Sequence, residues 1–340
     1  MVTIAIPLYN SEKYIERSLE SALSQTFQDI EILLINDCST DNSLAIVEAI
    51  MKSNDTSIKI RIVNQETNQG VGMARNRAIS EALGEYIYFL DSDDVITSNC
   101  IELLYETIIN NKCNFVVSSY GCCYENEYPR INSVVSEYAI INTNDDFFKY
   151  KYSYTKKSLF TIYIWNILFD LNFIKSNNLF FKNYKKGEDH IFFLEMMPFI
   201  NSCIILSDVT YHYILKDNSL SYYGPRNYIS SEEVDSNVQL LRDELMIIKK
   251  WRNNYYYPEI VFHQIRSAYW MLLSIMRKEK IIKPYISDET IKFLCNNHLT
   301  VKEILSFRRK KTIHLAFLIF AKLPMFFQKG LVRILLEIKK

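Results

Sequence analysis

Through the first 120 residues, apolar positions gather in short dense runs separated by polar stretches. TIAIP (Thr3 to Pro7), EILLIND (Glu31 to Asp37), KIRIVN (Lys59 to Asn64), EYIYFLD (Glu85 to Asp91) and NFVVSSY (Asn114 to Tyr120) are short and rich in β-branched and aromatic residues, which predicts strands. Between them apolar residues recur near i, i+4, as at Tyr14, Leu19 and Leu23 and at Ala74, Ala78 and Ala82, which predicts helices. Such alternation implies an α/β fold with a mainly parallel central sheet flanked by helices on both faces. From about 122 to 160 the pattern is irregular, and beyond 226 it turns helical, as in Val234 to Trp251 and Ile260 to Met276. A helical C-terminal extension follows from that change of period.

Local punctuation agrees with these boundaries. Ser11 is placed to cap the first helix, Asp41 to favour the start of the second, and Gly84 to end the third before a strand. Three of only seven glycines, Gly70, Gly72 and Gly84, fall within fifteen residues, so that region is expected to need special backbone geometry. Ligands of open α/β sheets bind beyond the carboxyl ends of the strands, and the polar residues ending these runs are Asn10, Asp37, Asn64 and Asp91. They are expected to gather on one rim.

Composition narrows the class. The chain has 340 residues, 49% of them apolar, and zero formal net charge, which suits a globular protein and argues against wholesale nucleic-acid binding. The charge is unevenly spread: residues 308–340 carry nine Lys or Arg and one acid, Glu337, leaving the preceding part at about minus eight. Seven cysteines without a Cys-x-x-Cys pair, and no N-terminal signal pattern, point to buried thiols in a reducing, cytoplasmic compartment. No apolar run reaches the roughly 18 residues of a membrane-spanning helix.

Candidate chemistry begins at DSDD. The apolar strand YIYFL delivers Asp91, Ser92, Asp93 and Asp94 to its carboxyl end, where carboxylates two apart face one small volume and repel unless a cation neutralises them. A hard divalent ion favours one or two carboxylates plus substrate phosphates. The alternative is a helix start, with acids at the N-terminus of a helix over Val95 to Ile109.

Several segments in order resemble the inverting family 2 glycosyltransferases, which share the GT-A fold. The match runs from TIAIPLYNSEKYIERSLESALSQTFQDIEILLINDCSTDNS through NQGVGMARN and GEYIYFLDSDD to GEDHIFF and NSLS, about residues 2 to 221. The resemblance implies a metal-dependent transferase acting in bacterial surface polysaccharide synthesis. Its donor would be a UDP-sugar and its acceptor a hydroxyl of a glycan or a lipid-linked oligosaccharide. It makes Asp91 to Asp93 the Asp-x-Asp motif, with Asp93 holding Mn²⁺ or Mg²⁺, Asp91 near the ribose and the metal shell, and Ser92 between them at the donor. Asp94 would serve the following helix. Pro7 and Tyr9 would receive the base, Asp37 would accept from a uracil N–H, and Arg75 would lean over the donor or brace the Asp91 loop. The G-x-G of this segment lacks the third glycine of a dinucleotide fingerprint.

The resemblance also places the catalytic base at Asp189, with Glu188 orienting the acceptor or sharing the proton; a carboxylate in a partly dry pocket has a raised pKa suited to that task. A solvated helix N-terminus is the alternative for both, and His190 reads as structural. Trp165 and Asn166 would shape the acceptor side, or be a buried ring and an amide satisfying backbone. His212 and Lys216 are candidate diphosphate contacts, with His212 equally readable as core. Lys216 stands where relatives often carry arginine, so it offers a point charge rather than a fork. The resulting division is a GT-A domain over 1–225, with a donor-nucleotide half 1–120 and an acceptor half 121–225, then a helical region 226–307 and a basic tail 308–340. The tail is expected to lie on anionic lipid at the inner face of the cell membrane, or to pack on the body or across a homodimer. Two rivals stay open: a polyprenyl-phosphate sugar synthase, and a non-catalytic subunit that binds sugar nucleotide or glycan.

Overall fold

The run Val2–Leu8 forms strand β1, and it is buried along its whole length because it lies inside the sheet with both faces covered by packed side chains. A computed structural model of the protein describes residues 1–128, 132–134, 136–152, 163–184, 186–216, 229–277, 282–283, 287–296, 299–307, 311–324, 327–328 and 330–331. The NSLS segment and positions 308–310 and 332–340 of the basic tail lie outside the described residues. The chain divides into two units, Met1–Tyr222 and Tyr223–Lys340.

In the first unit β1 is joined by β2 (Ile30–Asn36), β3 (Lys59–Asn64), β4 (Tyr86–Phe89), β5 (Val95–Ile96), β6 (Phe115–Tyr124), β7 (Asn132–Val134), β8 (Ala139–Ile141), β9 (Ile167–Asp170) and β10 (Cys203–Leu215). Their main order is β3-β2-β1-β4-β9-β6-β10-β5, with β7 on β6 and β8 on β10. The helices are α1 (Ile15–Leu23), α2 (Ser43–Ser53), α3 (Val71–Glu81), α4 (Cys100–Asn111), α5 (Asn144–Tyr152), α6 (Leu171–Ser176) and α7 (Glu188–Met196). Side chains two apart share a sheet face, so Ile4, Ile6, Leu8, Ile32 and Leu34 form one core with Ile15, Leu19, Val47 and Leu104 of the helices. Ala5, Leu33 and Ile35 alternate with them and are buried too, and α3 lies along β1 and β2.

The five expected strands are present, but the sheet is mixed. Pairings among β1, β2, β3 and β4, and between β6 and β10, are parallel. The four-residue β9 runs antiparallel between β4 and β6, and β5 runs antiparallel on β10. Entry into β9 is made by Asn166, whose φ of 63° is left-handed, a conformation that asparagine tolerates better than most residues. Its buried amide accepts from Ser118 Oγ at 2.9 Å and Thr210 Oγ1 at 3.0 Å, and donates to the Ser118 and Ser119 carbonyls at 2.8 and 3.0 Å. Asn166 therefore stitches three strands together through a fully used amide, which a buried polar group requires.

Two punctuation marks work differently from expectation. Helix α1 starts at Ile15 without a side-chain cap, while Ser11 offers its carbonyl to the Tyr14 and Ile15 amides and its hydroxyl meets Ser92 Oγ at 2.7 Å. The DSDD run does not open a helix at Val95: β5 follows first, and α4 begins at Cys100.

The second unit carries β11 (Ile229–Ser230), β12 (Ile282–Lys283), α8 (Ser231–Lys249), α9 (Tyr257–Arg277), α10 (Asp288–Cys295), α11 (Val301–Ser306) and α12 (Lys311–Lys322). Val238, Leu241, Leu272 and Leu294 lie in its core, and Phe320 of α12 packs against that cluster. His314 of α12 is buried, with Nε2 2.9 Å from the Pro258 carbonyl. The described part of the basic tail is thus a component of this helical unit rather than a separate appendage. Among the described residues no helix is long and apolar enough to cross a membrane, and all seven cysteines are free thiols, five of them buried.

The clustered glycines have different physical reasons. Gly70 adopts a φ of 88° just before α3, with open space around it. Gly84 needs room instead: a Cβ there would meet the Thr3 amide nitrogen at 2.7 Å and the Tyr86 carbonyl at 2.8 Å. Gly84→Ala is therefore expected to cost about 1–3 kcal/mol through overpacking against backbone, measured as a lowered urea midpoint with unchanged slope.

Candidate active site

The carboxyl ends of β1, β2 and β4 form a linked polar rim. Asn36 and Asn64 bond side chain to side chain at 2.8 Å, Asn10 Oδ1 accepts from the Thr40 amide at 2.8 Å, and Ser11 reaches Ser92. Asp37 is buried and takes three donors: Gln65 Nε2 at 2.6 Å and the Gln69 and Gly70 amides at 2.8 and 2.7 Å. A carboxylate offers about four lone-pair sites, so Asp37 fixes the loop leading into α3 and keeps little capacity for anything else. Pro7 is buried in β1, and Tyr9 beyond it is half exposed.

That loop delivers Arg75 on the second turn of α3. Its Nη2 donates to Asp91 Oδ1 at 2.9 Å and its Nη1 to Glu188 Oε1 at 2.8 Å, while the guanidinium lies 5.6 Å from the Phe181 ring centroid. Arg75 is almost fully buried, and burial opposes its charge, but Asp91, Glu188 and Asp189 outweigh that and raise its pKa. Gly72, one turn earlier, lets this contact form, since a Cβ there would sit 3.2 Å from Glu188 Cγ and 3.0 Å from the Lys182 carbonyl.

The three aspartates after β4 have three different partners. Asp91 faces Arg75. Asp93 is ion-paired with Lys216, and its backbone carbonyl accepts from Arg17 Nη2 at 3.2 Å. Asp94 does not serve a helix: it is fully buried, accepting from Tyr211 Oη at 2.7 Å and the Ile214 amide at 2.8 Å. Burial pushes the Asp94 carboxyl well up, with Asp93 and Asp91 adding to the shift. Burial also raises Asp93, which Lys216 opposes. Repulsion in DSDD is thus relieved by two cations and by one carboxyl that resists ionising.

Gly187, at a φ of 84°, opens α7, and Glu188 and Asp189 occupy its first turn. Glu188 is buried against Arg75, so a freely solvated helix end does not describe it. Asp189 has its carboxyl pushed up to about 6 by burial, then by Glu188, with Arg75 pulling the other way; its Oδ1 accepts from the His190 amide. A carboxylate poised there is suited to accepting a proton near neutrality.

Trp165 is buried in an aromatic stack, 4.6 Å from Tyr163, 4.5 Å from Tyr211 and 5.6 Å from Tyr213, all near-parallel. Its neighbour Asn166 is the amide consumed in the sheet. His212 sits on β10 with its pKa lowered by burial and, among the described residues, no partner for Nδ1; the Tyr128 ring is 6.5 Å away. Arg17 lies over the other side of this neighbourhood, its guanidinium carbon 5.0 Å from the Tyr128 centroid. Arg17 and Tyr14, which packs under Lys216, belong to the site although the motifs did not single out their role. Their signal was only a cation and a ring in the first turn of an ordinary helix.

Asp91 and Asp93 have the donor chemistry a hard divalent ion uses alongside phosphate oxygens. Lys216 already stands on Asp93 as a cation, so that carboxylate accepts positive charge in this fold. Among the described residues no group of three or more His, Cys, Asp or Glu could hold a metal without such help.

The geometry has counterparts elsewhere. Residues 3–171 match the model described as glycosyl transferase family 2. The glycosyltransferase GlyG of Streptococcus pneumoniae is 39% identical over 120 residues, 35% of this chain and 39% of GlyG. A poly(ribitol-phosphate) beta-glucosyltransferase of Bacillus spizizenii is 30% identical over 240 residues, 68% of this chain and 36% of that protein. The chain thus spans well under half the length of these relatives. Staphylococcus aureus TarS 1–349, solved in complex with UDP-GlcNAc, superposes with a TM-score of 0.67 at 20% identity, over 94% of this chain and 88% of that one. That likeness shows the shared GT-A fold.

The Arg75 fork yields a stability test. Arg75→Met leaves Asp91 and Glu188 facing each other without their cation, and removing one partner of a buried ion cluster costs about 3–5 kcal/mol. Chemical denaturation should report a loss of that order, whereas the exposed Arg77→Met should change stability by under about 1 kcal/mol.

Proposed function

Residues 3–171 make this chain a member of glycosyl transferase family 2, and from that premise we propose that it is an inverting, metal-dependent transferase moving a sugar from UDP to a hydroxyl of a glycan or lipid-linked oligosaccharide. One observation carries the reading: Arg75 binds Asp91 of the proposed donor end and Glu188 of the proposed acceptor end at once. Two acidic motifs nearly a hundred residues apart are thereby supported as halves of one centre.

In the proposed reaction Asp189 takes the proton of the acceptor hydroxyl as its oxygen forms a bond to the anomeric carbon. The bond from that carbon to the diphosphate breaks, and UDP leaves with the electron pair. Attack opposite the leaving group turns an α-linked donor into a β-linked product. Glu188, held by Arg75, orients the acceptor side of the pocket, while exposed Tyr9 receives the base beside the loop that Asp37 holds in place. Asp93 and Asp91 would hold Mn²⁺ or Mg²⁺, which when bound supplies Lewis-acid stabilisation of charge on the diphosphate. Lys216, Arg17 and His212 add positive or donor character at the same end. The UDP donor is supported by the solved complex of TarS, and a polymeric acceptor by the poly(ribitol-phosphate) relative.

A membrane-surface position is part of the proposal. Ile313 and Ile319 of α12, with Phe327 and Leu331 beyond it, are exposed beside Lys322 in a basic segment. Apolar side chains among cations favour the interface of anionic lipid.

The transferase reading is tested by offering UDP- and GDP-sugars with and without Mn²⁺ and following nucleotide release. Metal-dependent release from one UDP-sugar is expected, lowered at least about a hundredfold by Asp93→Ala and by about 10²–10⁴ by Asp189→Asn. A base must be ionised to work, so kcat/KM should rise with pH through about 6, where the Asp189 carboxyl titrates, and this limb should vanish in the asparagine variant. Full turnover without Asp189 would favour a phosphate acceptor, as in a polyprenyl-phosphate sugar synthase; release insensitive to both changes would sink the mechanism.

Ile319→Asp with Phe327→Asp should weaken flotation with phosphatidylglycerol vesicles while leaving the far-ultraviolet spectrum intact. Unchanged flotation would rule out this face as the membrane contact.

A further inference from the structure

Lys216 is the first residue beyond β10, whose register with β6 runs through Leu215, so its backbone is anchored and its side chain is the adjustable part. The ammonium is ion-paired with Asp93 Oδ2 and sits 3.8 Å from the Tyr14 ring centroid, a carboxylate on one side and a π-face on another. Its side chain is 13% exposed, less than the 34% of its partner. Arg17 donates to the Asp93 carbonyl, so this end carries two cations.

A hard divalent ion seeking the Asp93 carboxylate meets an ammonium already on it, and two positive charges at that separation repel. Nucleotide brings the missing negative charge. We propose that Lys216 is an exchangeable counter-cation: it pairs with Asp93 until a metal arrives, yields the carboxylate to the metal, and transfers its charge to the donor's diphosphate. This rests on the reading of Asp93 as metal ligand and deepens it, because it makes metal and nucleotide bind synergistically. Lysine suits the exchange better than arginine, since a compact charge on a flexible stem can swing between two oxyanions while a guanidinium fork is committed to one planar geometry.

The test measures metal binding rather than turnover. Free Mn²⁺ is followed by electron paramagnetic resonance in titrations of the full chain and of Lys216→Met, with and without UDP; Lys216→Gln serves as a second variant of similar reach. The native protein should bind Mn²⁺ weakly alone and much more tightly with UDP. Lys216→Met should bind Mn²⁺ alone roughly fivefold more tightly, the scale of losing one partly exposed ion-pair competitor, with the UDP-induced gain reduced. Both effects should vanish in an Asp93→Asn background. If UDP recruits Mn²⁺ equally in all three proteins and the nucleotide-free affinity is unchanged, the exchange is overturned while the metal assignment stands. If UDP binds but recruits no Mn²⁺ to any of them, the metal assignment falls and takes the exchange with it.

Discussion

A single buried guanidinium holds the candidate site together. Arg75 lies between Asp91 and Glu188, carboxylates 16 and 113 residues away in the chain. Neither a lone buried arginine nor two adjacent buried carboxylates would be tolerated, so each charge is stable only because the others are present. Much of the surrounding sequence serves that contact: Asp37 pins the loop before α3, Gly70 turns the chain, and Gly72 removes the side chain that would push Glu188 away. Asp189, next along α7, draws its raised pKa from the same burial.

Electrostatics at the other end of the site follows a different rule. Three aspartates within four residues would repel if all were ionised in one environment. The fold separates them by giving Asp91 a buried arginine, Asp93 a largely buried lysine, and Asp94 a tyrosine and a backbone amide in the core. Only Asp93 keeps both substantial exposure and a mobile counter-charge, which makes it the carboxylate able to change partners. Asp94 has become a structural joint between the DSDD turn and β10, the strand that also leads to Lys216.

The aromatic stack shows how site and core merge. Trp165 packs between the rings of Tyr163, Tyr211 and Tyr213, and pairs of this kind are worth about 0.5–1.5 kcal/mol beyond their buried area. Tyr211 also accepts from the Asp91 amide and donates to Asp94. Aromatic packing beneath the sheet end thus fixes the height of the acidic turn, although Trp165 itself is largely withdrawn from solvent.

Local pattern was enough for β1 to β4, β6 and the helices between them, because buried parallel strands and amphipathic helices write dense runs and a near-fourfold period directly into the chain. The DSDD motif was legible too, because three carboxylates at the end of an apolar strand are conspicuous without any fold, whereas Glu188 and Asp189 stood out only through the family resemblance. The antiparallel β9 was not, since four residues carry no period, and its placement depends on Asn166 finding hydroxyls and carbonyls on β6 and β10. Nor could local pattern distinguish Asp94 from Asp93, or show that Arg17 and Tyr14 join Lys216, because those identities rest on burial and on contacts 76 to 202 residues apart. The sequence by itself determined which chemical groups this protein owns and the elements that carry them. Tertiary structure alone decided which carboxylate is buried, which is paired and which is left exchangeable, because desolvation and charge pairing act through space and have no period along the chain.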